Sequence, residues 1–374
     1  MRIVIISGQY PSENNIYTDV FVHTRAVAYK SRGHDIHVIT YASKEQNEYC
    51  YEGIPVYNEL NASAVYNSIQ RLKPDTIFIH FFHPQMLEWI ERTNIPITLW
   101  VHGHEAMNWY RRYWNFTALE FVRYFPGNVI ATIKRKRTWK ELALLSKRTS
   151  GRIHFVFVSE WIKRVAQTDN GILLPFCSVI SNPINSERFA WVDKKENFAA
   201  NILSIKSFAT RMYANDITAK TILKLSKHSI FNSLNFSLYG DGKHWDCLQP
   251  LKKLQNVHLN RTFIEQKEIS SIHLQHGIWL GPTRMDTQGV SMCEAMSSGL
   301  VPVTSKVAAI PEFVRDGIDG ILTDNSPKQL AEAVIFLNEN PSVFKKMSLN
   351  ASLQMKEKCS IEGVISKELK LATR

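Results

Sequence analysis

The chain repeats one pattern twice: short runs of β-branched and aromatic residues alternate with helical segments, first over residues 1–180 and again from Asn201. The runs of the first half are "RIVIIS", "DIHVIT", "DTIFIH", "IPITLWV" and "HFVFVS"; those of the second are "NILSIKSF", "LNFSLYGDG", "NVHLN", "GIWLGPT", "LVPVT" and "DGILT". Such alternation is typical of a parallel, doubly wound sheet. The sequence therefore predicts an α/β protein with two Rossmann-like domains.

The length of 374 residues exceeds what one hydrophobic core usually organises, which also favours two domains. Residues 184–198 have no sustained apolar period and follow Pro183, so a linker is expected there. We predict a first domain over 1–183, a second over 199–345, and helices over 346–374 that pack back toward the first. The carboxyl ends of both sheets are expected to open into a shared cleft.

The composition narrows the class of protein further. Five scattered cysteines without a CxxC spacing support neither a disulfide framework nor a structural zinc site, and they fit a reducing cytoplasm. No apolar run approaches the ~18 residues of a spanning helix. The net charge of +11 predicts an anionic partner: nucleic acid, an anionic membrane leaflet or a phosphorylated substrate.

The stretch from Gly281 to Thr323 carries the most chemistry. Asp286 and Glu294 lie eight residues apart, and Gly289 stands between them at an expected loop-to-helix start. Backbone N–H groups of Gly289 and Val290 would point at an anion such as a diphosphate, and the two carboxylates would accept hydrogen bonds from sugar hydroxyls. The alternative is a loop acid and an acid paired with a lysine.

These residues resemble a known family. An acid, seven residues, Glu-Ala-Met and then "GLVPV" is similar to the donor-site signature of retaining GT-B glycosyltransferases of family four. The motifs "SRGHDIHVIT", "KPDTIFIH", "WVHGHE", "FVFVSEWIKR", "VISNPINSERF", "SLYGDG" and "AAIPEFVRDGIDGIL" follow in the family's order. The motifs "TRMDTQGVS" and "MYAND" look closest to those of bacterial members that build capsule, O-antigen or related surface polysaccharides.

The resemblance implies roles for residues of the second domain. Glu294 would hold the donor's ribose and Asp286, where the family more usually has Glu, the transferred sugar; Gly240 of "SLYGDG" is counted in the same donor site. Two cations would neutralise the diphosphate, and "SIKSFATRMYAND" offers Lys206 and Arg211, five residues apart; with Met212 at the second position instead, one cation would be missing. No Asp-x-Asp triplet occurs in the chain, so no metal cofactor is expected.

In the first domain, "WVHGHEA" places His102 and His104 beyond a strand end. The resemblance implies that His102 contacts the transferred sugar or its phosphate, and His104 stays undecided. His80 and His83 are expected to be structural. Gly8 stands where family members often carry a Gly-Gly pair, so close backbone approach to a ligand is expected at this glycine alone.

The positive charge concentrates in residues 111–140, which hold eight Arg or Lys against one Glu together with seven aromatic residues. Such a composition is typical of a surface that docks on anionic headgroups, and the alternative is a pair of amphipathic helices with solvated cations. No nucleic-acid-binding module accompanies the charge. The candidate membrane-surface residues are Arg111, Arg112, Trp114, Lys134, Arg135, Lys136, Arg137 and Trp139.

Together these features predict a metal-independent, retaining glycosyltransferase that moves a sugar from a nucleotide-diphosphate sugar to a glycan acceptor on a lipid carrier, in bacterial surface polysaccharide synthesis. It would be cytoplasmic and peripheral on the inner face of the membrane. The alternatives are a catalytically degenerate glycan-binding or scaffold protein and a GT-B sugar-nucleotide epimerase. An NAD-dependent dehydrogenase is disfavoured because no G-x-G-x-x-G follows the first strand.

Overall fold

The computed structural model describes residues 1–13, 15, 18–41 and 43–373. The chain divides into two units, the first made of residues 1–113, 118–183 and 361–374, and the second of residues 114–117 and 184–360. Each unit is built around its own sheet. The predicted pair of Rossmann-like α/β domains is therefore confirmed.

The first domain has an eight-stranded sheet in the order β3-β4-β2-β1-β5-β6-β7-β8. All neighbours pair in parallel except β3 and β4, which form an antiparallel hairpin. The strands are β1 (Arg2–Ser7), β2 (Asp35–Tyr41), β3 (Asn47–Tyr51), β4 (Ile54–Glu59), β5 (Thr76–His80), β6 (Ile97–Val101), β7 (Ile153–Phe157) and β8 (Cys177–Val179).

Helices cover this sheet and bury its apolar residues. The core includes Ile3, Ile5, Phe78 and Trp100 of the central strands, each with no exposed surface. The helices are α1 (Val20–Lys30), α2 (Ala62–Leu72), α3 (Leu87–Arg92), α4 (Ala118–Arg148), α5 (Glu160–Asn170) and, from the far end of the chain, α11 (Ile361–Ala372). The strands buried on both faces explain why they appear in the sequence as continuous apolar runs.

The second domain has a six-stranded, all-parallel sheet in the order β11-β10-β9-β12-β13-β14. Its strands are β9 (Asn201–Ile205), β10 (Asn235–Tyr239), β11 (Val257–Asn260), β12 (Ile278–Leu280), β13 (Val301–Ser305) and β14 (Ile321–Thr323). Its helices are α6 (Asn215–Leu225), α7 (Gln266–His273), α8 (Val290–Ser297), α9 (Pro327–Glu339) and α10 (Pro341–Cys359). Numbered within the domain, the order is the 3-2-1-4-5-6 of dinucleotide-binding folds.

A fully buried ion pair fastens α11 to the first domain. The Nε of Arg25 on α1 donates to Oε1 of Glu368 at 2.9 Å, and Tyr29 donates from its hydroxyl to Oε2 at 2.5 Å. Neither charged side chain has exposed surface. A second donor of Arg25, Nη2, reaches the side-chain oxygen of Asn182 at 3.0 Å. Residues 343 positions apart in sequence are thus bound in one hydrogen-bonded cluster.

Two of the expected boundaries differ from this division. Residues 184–198, expected as a linker, lie in the second unit, where Phe189 is buried and Lys194 donates to the carbonyl of His273 at 2.6 Å. Residues 346–360 also lie in the second unit, because α10 buries Met347 in its core. Within the described residues, no helix is long and apolar enough to span a bilayer.

Candidate functional site

The strand order of the second sheet creates a crevice between β9 and β12. These two strands pair side by side, and the chain leaves them toward opposite edges of the sheet, β9 to β10 and β12 to β13. Ligands of open α/β sheets bind outside the carboxyl ends of the strands at such a point. Lys206 directly follows β9, and the loop that contains Asp286 follows β12.

Lys206 is a buried cation in this crevice. Its side chain donates to the carbonyl oxygens of Tyr213, at 3.2 Å, and of Pro282, and its Nζ lies 5.2 Å from the ring centroid of Trp279. Burial lowers the pKa of Lys206 to about 7, an effect that the nearby charge of Asp286 opposes. Among the described ion pairs Lys206 has no carboxylate partner. An anion in the crevice would supply a counter-charge in direct contact, in addition to the nearby Asp286.

Gly240 supports the backbone of Lys206. The φ of Gly240 is 142°, and a Cβ built on it would lie 1.8 Å from the carbonyl oxygen of Lys206. The loops that follow β9 and β10 therefore approach each other more closely than any side chain allows. The structure gives this predicted donor-site residue a role in positioning the cation.

Asp286 shapes the start of α8. Its Oδ1 accepts hydrogen bonds from the backbone of Gln288 at 3.1 Å and of Gly289 at 2.7 Å, and burial raises its pKa against these bonds and the charge of Lys206. Gly289 adopts a left-handed conformation, with φ 79°. The expected anion-binding amide of Gly289 is thus engaged by Asp286, whereas Val290 is the first residue of the helix that follows.

Glu294 lies on α8 with only 8% of its surface exposed. Its Oε1 accepts from the side-chain amide of Gln266 at 3.3 Å. Burial raises the pKa of Glu294 to about 7, while that hydrogen bond and the charge of Arg188 act in the opposite direction. Gln266 precedes Glu294 by 28 positions and belongs to no sequence motif, so the sequence did not indicate it.

The second expected cation, Arg211, begins a 3-10 turn, Arg211–Tyr213, and is exposed. Another arginine that sequence reasoning missed organises this turn: Arg284 forms a bidentate pair with Asp216, at 2.9 and 2.8 Å, and donates to the carbonyl of Arg211 at 2.6 Å. Met212 is half-buried, and its carbonyl accepts from Thr283 at 3.0 Å. These hydrogen bonds fix the turn, and the contact of Arg211 with a diphosphate stays a prediction.

In the first domain, His102 stands just beyond β6 and pairs with His80 at the end of β5. The Nδ1 of His80 and Nε2 of His102 are 3.0 Å apart. The carboxylate of Glu105 accepts from the backbone of His102 at 2.6 Å and of Gly103 at 3.0 Å, which fixes the turn. His80 was expected to be structural, and it directly contacts the candidate site residue.

Gly8 is a further candidate of the first domain. Gly8 follows β1, and no described atom lies within 4 Å of a Cβ built on it, so the structure leaves space there. The carboxylate of Asp19 accepts from the hydroxyl of Ser7 at 3.2 Å. Asn14, Ile16 and Tyr17, which belong to the stretch after Gly8, lie outside the described residues.

The structure removes several residues from the expected membrane surface. Arg111 donates twice from Nε and once from Nη2 to the carboxylate of Asp169, at 2.7 to 2.9 Å. Arg135 donates to the carbonyl of Met107 at 2.7 Å. Trp139 is 1% exposed and donates to the carbonyl of Glu105 at 3.0 Å. These side chains hold α4 and the preceding segment against the domain, so they are not free to meet a membrane.

The other basic candidates differ in their surroundings. Arg112 is half-buried, with Nη1 3.0 Å from Nδ1 of His104, and Trp114 is half-buried too. Lys134 and Lys136 are exposed, and Arg137 pairs with Glu141 of the same helix while 83% of its side chain stays exposed. The cations still available to an anionic surface thus lie on α4.

The first half of α4 has an unusually apolar exposed surface. Leu119 is 85% exposed, Val122 73% and Ile133 63%. Other large apolar side chains on this segment are also exposed: Phe121, Tyr124, Phe125, Val129 and Ile130. Soluble proteins seldom expose contiguous apolar patches of this kind without a partner. The residues of this face are evident in "ALEFVRYFPGNVIATI", but the prediction of a membrane surface included only the neighbouring cations and two tryptophans.

The chain resembles known proteins along nearly its whole length. A glycosyltransferase of Methanocaldococcus jannaschii, described as uncharacterized, is 24% identical over 377 residues, which cover 94% of this chain and 92% of that protein. The alpha-monoglucosyldiacylglycerol synthase of Acholeplasma laidlawii is 26% identical over 124 residues, 32% of this chain and 31% of that protein. Among solved structures, Anabaena HepE in complex with UDP and glucose superposes with a TM-score of 0.71 at 13% identity, over 99% of each chain.

Two family models divide the chain between them. Residues 18–188 match the family described as Glycosyltransferase Family 4, and residues 200–340 match the family described as Glycosyl transferases group 1. The matches follow the two domains in order, and the shared fold spans both. The chain therefore has the GT-B fold, with a first domain similar to those of Glycosyltransferase Family 4 and a second domain similar to those of Glycosyl transferases group 1.

Proposed function

We propose that this protein transfers a sugar from a nucleoside-diphosphate sugar, with retention of anomeric configuration and without a metal ion, to a glycan acceptor on a lipid carrier. Surface polysaccharide synthesis is the proposed context. The observation that carries the donor assignment is the buried cation Lys206 at the β9–β12 crevice, beside the carboxylate of Asp286 and the start of α8. HepE, which shares the fold, was solved with UDP and glucose.

Each group has a defined task in this proposal. Lys206 stabilises the negative charge that grows on the departing diphosphate, because a preorganised cation in a buried site needs little reorganisation during reaction. The amide of Val290 and the amino terminus of α8 add a positive partial charge. Glu294 accepts from ribose hydroxyls and Asp286 from hydroxyls of the transferred sugar, while Arg211 supplies the second cation to the diphosphate.

The raised pKa values of the two acids support this assignment. A carboxyl group held in a buried site gains hydrogen-bond donors when a polyhydroxylated ligand arrives, and its ionised form then becomes favourable. Glu294, with a pKa of about 7 and Gln266 as its hydrogen-bond donor, has spare acceptor capacity for such a ligand. Positioning of the donor and electrostatic stabilisation of the leaving group would supply most of the catalysis, with no dedicated protein base.

The donor assignment is tested by calorimetric titration of UDP, GDP, ADP and CMP into the protein, each with and without EDTA. We expect one nucleoside diphosphate to bind equally well in both conditions, and Glu294→Gln to weaken it at least tenfold. Glu339→Gln, which makes the same change at an exposed glutamate of α9, is the matched control. Binding that EDTA abolishes would refute metal independence, and no binding of any nucleotide would favour a degenerate glycan-binding protein.

The proposal that the acceptor is lipid-linked is based on the exposed surface of α4. Its exposed apolar residues are followed along the same helix by Lys134, Lys136 and Arg137, as in helices that lie in the headgroup region of an anionic leaflet. The similar synthase of Acholeplasma laidlawii is named for a diacylglycerol product. Apolar insertion would supply the affinity and the cations the preference for anionic lipid.

Vesicle sedimentation tests this surface. Wild-type protein should bind phosphatidylglycerol vesicles, and the double change Leu119→Asp and Val122→Asp should reduce binding at least tenfold without altering the melting temperature, because both side chains are exposed. Leu353→Asp, which places the same charge on an exposed leucine of α10, is the matched control. Equal binding by the double variant and the wild type would exclude α4 as the membrane contact.

A further inference from the structure

His80 and His102 form a paired-ring cluster with a restricted set of proton arrangements. Their rings stack at 5.3 Å between centroids with an interplanar angle of 24°, and Nδ1 of His80 lies 3.0 Å from Nε2 of His102. On the other side, His80 stacks on Trp100 at 4.7 Å. Phe21 and Phe81 approach the His102 ring at 4.9 and 4.8 Å. The two imidazoles can therefore rotate little.

Both rings are neutral in this setting. Burial lowers the pKa of each well below its usual value, and the positive charge of Arg25 lowers both further. The carboxylate of Glu105, the acid adjacent to His102, faces the backbone amides of His102 and Gly103. With both imidazoles neutral, each carries one N–H, so one of them donates and the other accepts across the 3.0 Å contact.

The far nitrogen of His80 decides which ring donates. His80 has no exposed surface, and its Nε2 has no hydrogen-bond partner among the described residues. If His80 accepted at Nδ1, its proton would sit on Nε2 as a buried, unpaired donor, which native structures rarely tolerate. If His80 donates from Nδ1, the orphan is a lone pair, which is also compatible with the positive charge of Arg25. His102 then accepts at Nε2 and carries its own proton on Nδ1.

We propose that His80 is a positioning residue that holds His102 in the Nδ1–H tautomer, so that His102 presents a hydrogen-bond donor to an oxygen atom of the bound ligand. The carboxylate of Glu105 fixes the turn, and His80 fixes the proton. The ligand oxygen would belong to the sugar or the phosphate of a nucleoside-diphosphate sugar, and this part rests on the proposed function. The tautomer itself is a property of the ligand-free protein.

Two-bond ¹H–¹⁵N correlation spectra of ¹⁵N-histidine-labelled, ligand-free protein test the inference, because the two tautomers give different patterns of nitrogen shifts. The His102 resonances are assigned by their loss in His102→Gln. We expect the Nδ1–H pattern in the wild type. His80→Phe keeps the stack on Trp100 but removes the donor, and it should shift His102 toward a mixture of tautomers. An Nε2–H pattern in the wild type would overturn the proposal.

Rescue separates proton control from simple packing. His80→Asn places an amide N–H near the position of Nδ1 and should restore the His102 pattern that His80→Phe loses. His83→Phe, which changes an exposed histidine on the same segment, is the control and should leave His102 unchanged. An unchanged His102 pattern in His80→Phe would also refute the proposal. Loss of one hydrogen bond predicts a roughly three- to tenfold weaker Kd for the bound nucleotide sugar in His80→Phe.

The two proposals fail in different ways. If no nucleoside diphosphate or nucleotide sugar binds the wild type, the proposed function fails, while the spectra of the ligand-free protein still report the tautomer. If nucleotide binds but His102 carries its proton on Nε2, the donor assignment stands and the positioning role of His80 is refuted.

Discussion

Replacing Lys206 by methionine separates the stability of the second domain from its ability to bind an anion. The fold lowers the pKa of this lysine from 10.5 to about 7. This shift means that folding disfavours the charged form of Lys206 by a free energy on the order of 4–5 kcal/mol. The unfolded chain keeps the proton up to about pH 10.5, but the folded protein releases it above about pH 7. Folding stability due to this group is therefore present above the unfolded pKa and is lost as the pH falls through about 7.

Between pH 6 and pH 9 this group alone should raise the unfolding free energy of the wild type by about 2–3 kcal/mol, and Lys206→Met should lack that rise. For a domain of this size, the melting temperature of the wild type should rise by roughly 5–10 °C relative to that of Lys206→Met as the pH increases from 6 to 9. Methionine also leaves the carbonyls of Tyr213 and Pro282 without a donor, but that loss does not depend on pH. The change of the melting-temperature difference with pH, and not its value at any one pH, therefore reports the burial of the lysine charge.

The assay is differential scanning fluorimetry of wild type, Lys206→Met and Lys252→Met from pH 6 to pH 9, the last being an exposed lysine of the same domain. Lys252→Met should follow the wild type at every pH. With the bound nucleoside diphosphate present, the wild type should lose most of its pH slope, because the anion restores the charged lysine, and Lys206→Met should show no ligand shift. A melting-temperature difference between Lys206→Met and the wild type that is constant with pH would refute the reasoning.

Three further changes test other parts of the structure. Gly240→Ala should destabilise the protein by roughly 3 kcal/mol in urea denaturation and weaken nucleotide binding, because its Cβ would overlap the carbonyl of Lys206. Glu368→Gln should cost about 3–5 kcal/mol by the same measurement, since Arg25 stays buried without a counter-charge. Burial raises the pKa of Glu294 from 4.5 to about 7, so the stability that this acid contributes at low pH is lost as the pH rises through about 7. Glu294→Gln should therefore be about 3 kcal/mol more stable than the wild type at pH 8 and equal to it at pH 4.

The fold was predictable because its central strands are buried on both faces. Short continuous apolar runs such as Ile3–Ile6 are typical of strands buried on both faces, and their alternation with helices indicates an α/β fold. The hairpin of β3 and β4 escaped notice because β3 is an edge strand with mostly exposed residues. Its signal was the two-residue turn at Glu52 and Gly53, both with positive φ, between two short β-rich runs.

The candidate site was predictable only where a residue lies within a contiguous signature. Lys206 follows β9, Asp286 lies in the loop after β12 and Glu294 lies on α8, so their positions come from the local pattern. Gln266 and Arg284 act through partners far away in sequence, and periodicity contains no information about such pairs. The charge of residues 111–140 was also misleading in part, since Arg111 and Arg135 satisfy buried or half-buried groups inside the domain.

The buried pair between Arg25 and Glu368 has a consequence for how the chain is made. The first domain is translated first, yet one of its helices consists of residues 361–372, which leave the ribosome after the entire second domain. At ordinary elongation rates, roughly 20–70 s pass between the synthesis of Arg25 and that of Glu368, whose carboxylate is its partner. The second domain consists of the contiguous residues 184–360 together with the short segment 114–117, and it has no such delay. The order of synthesis and the order of completion are thus reversed, and during that interval α1 presents a charged, uncovered face to which chaperones have access.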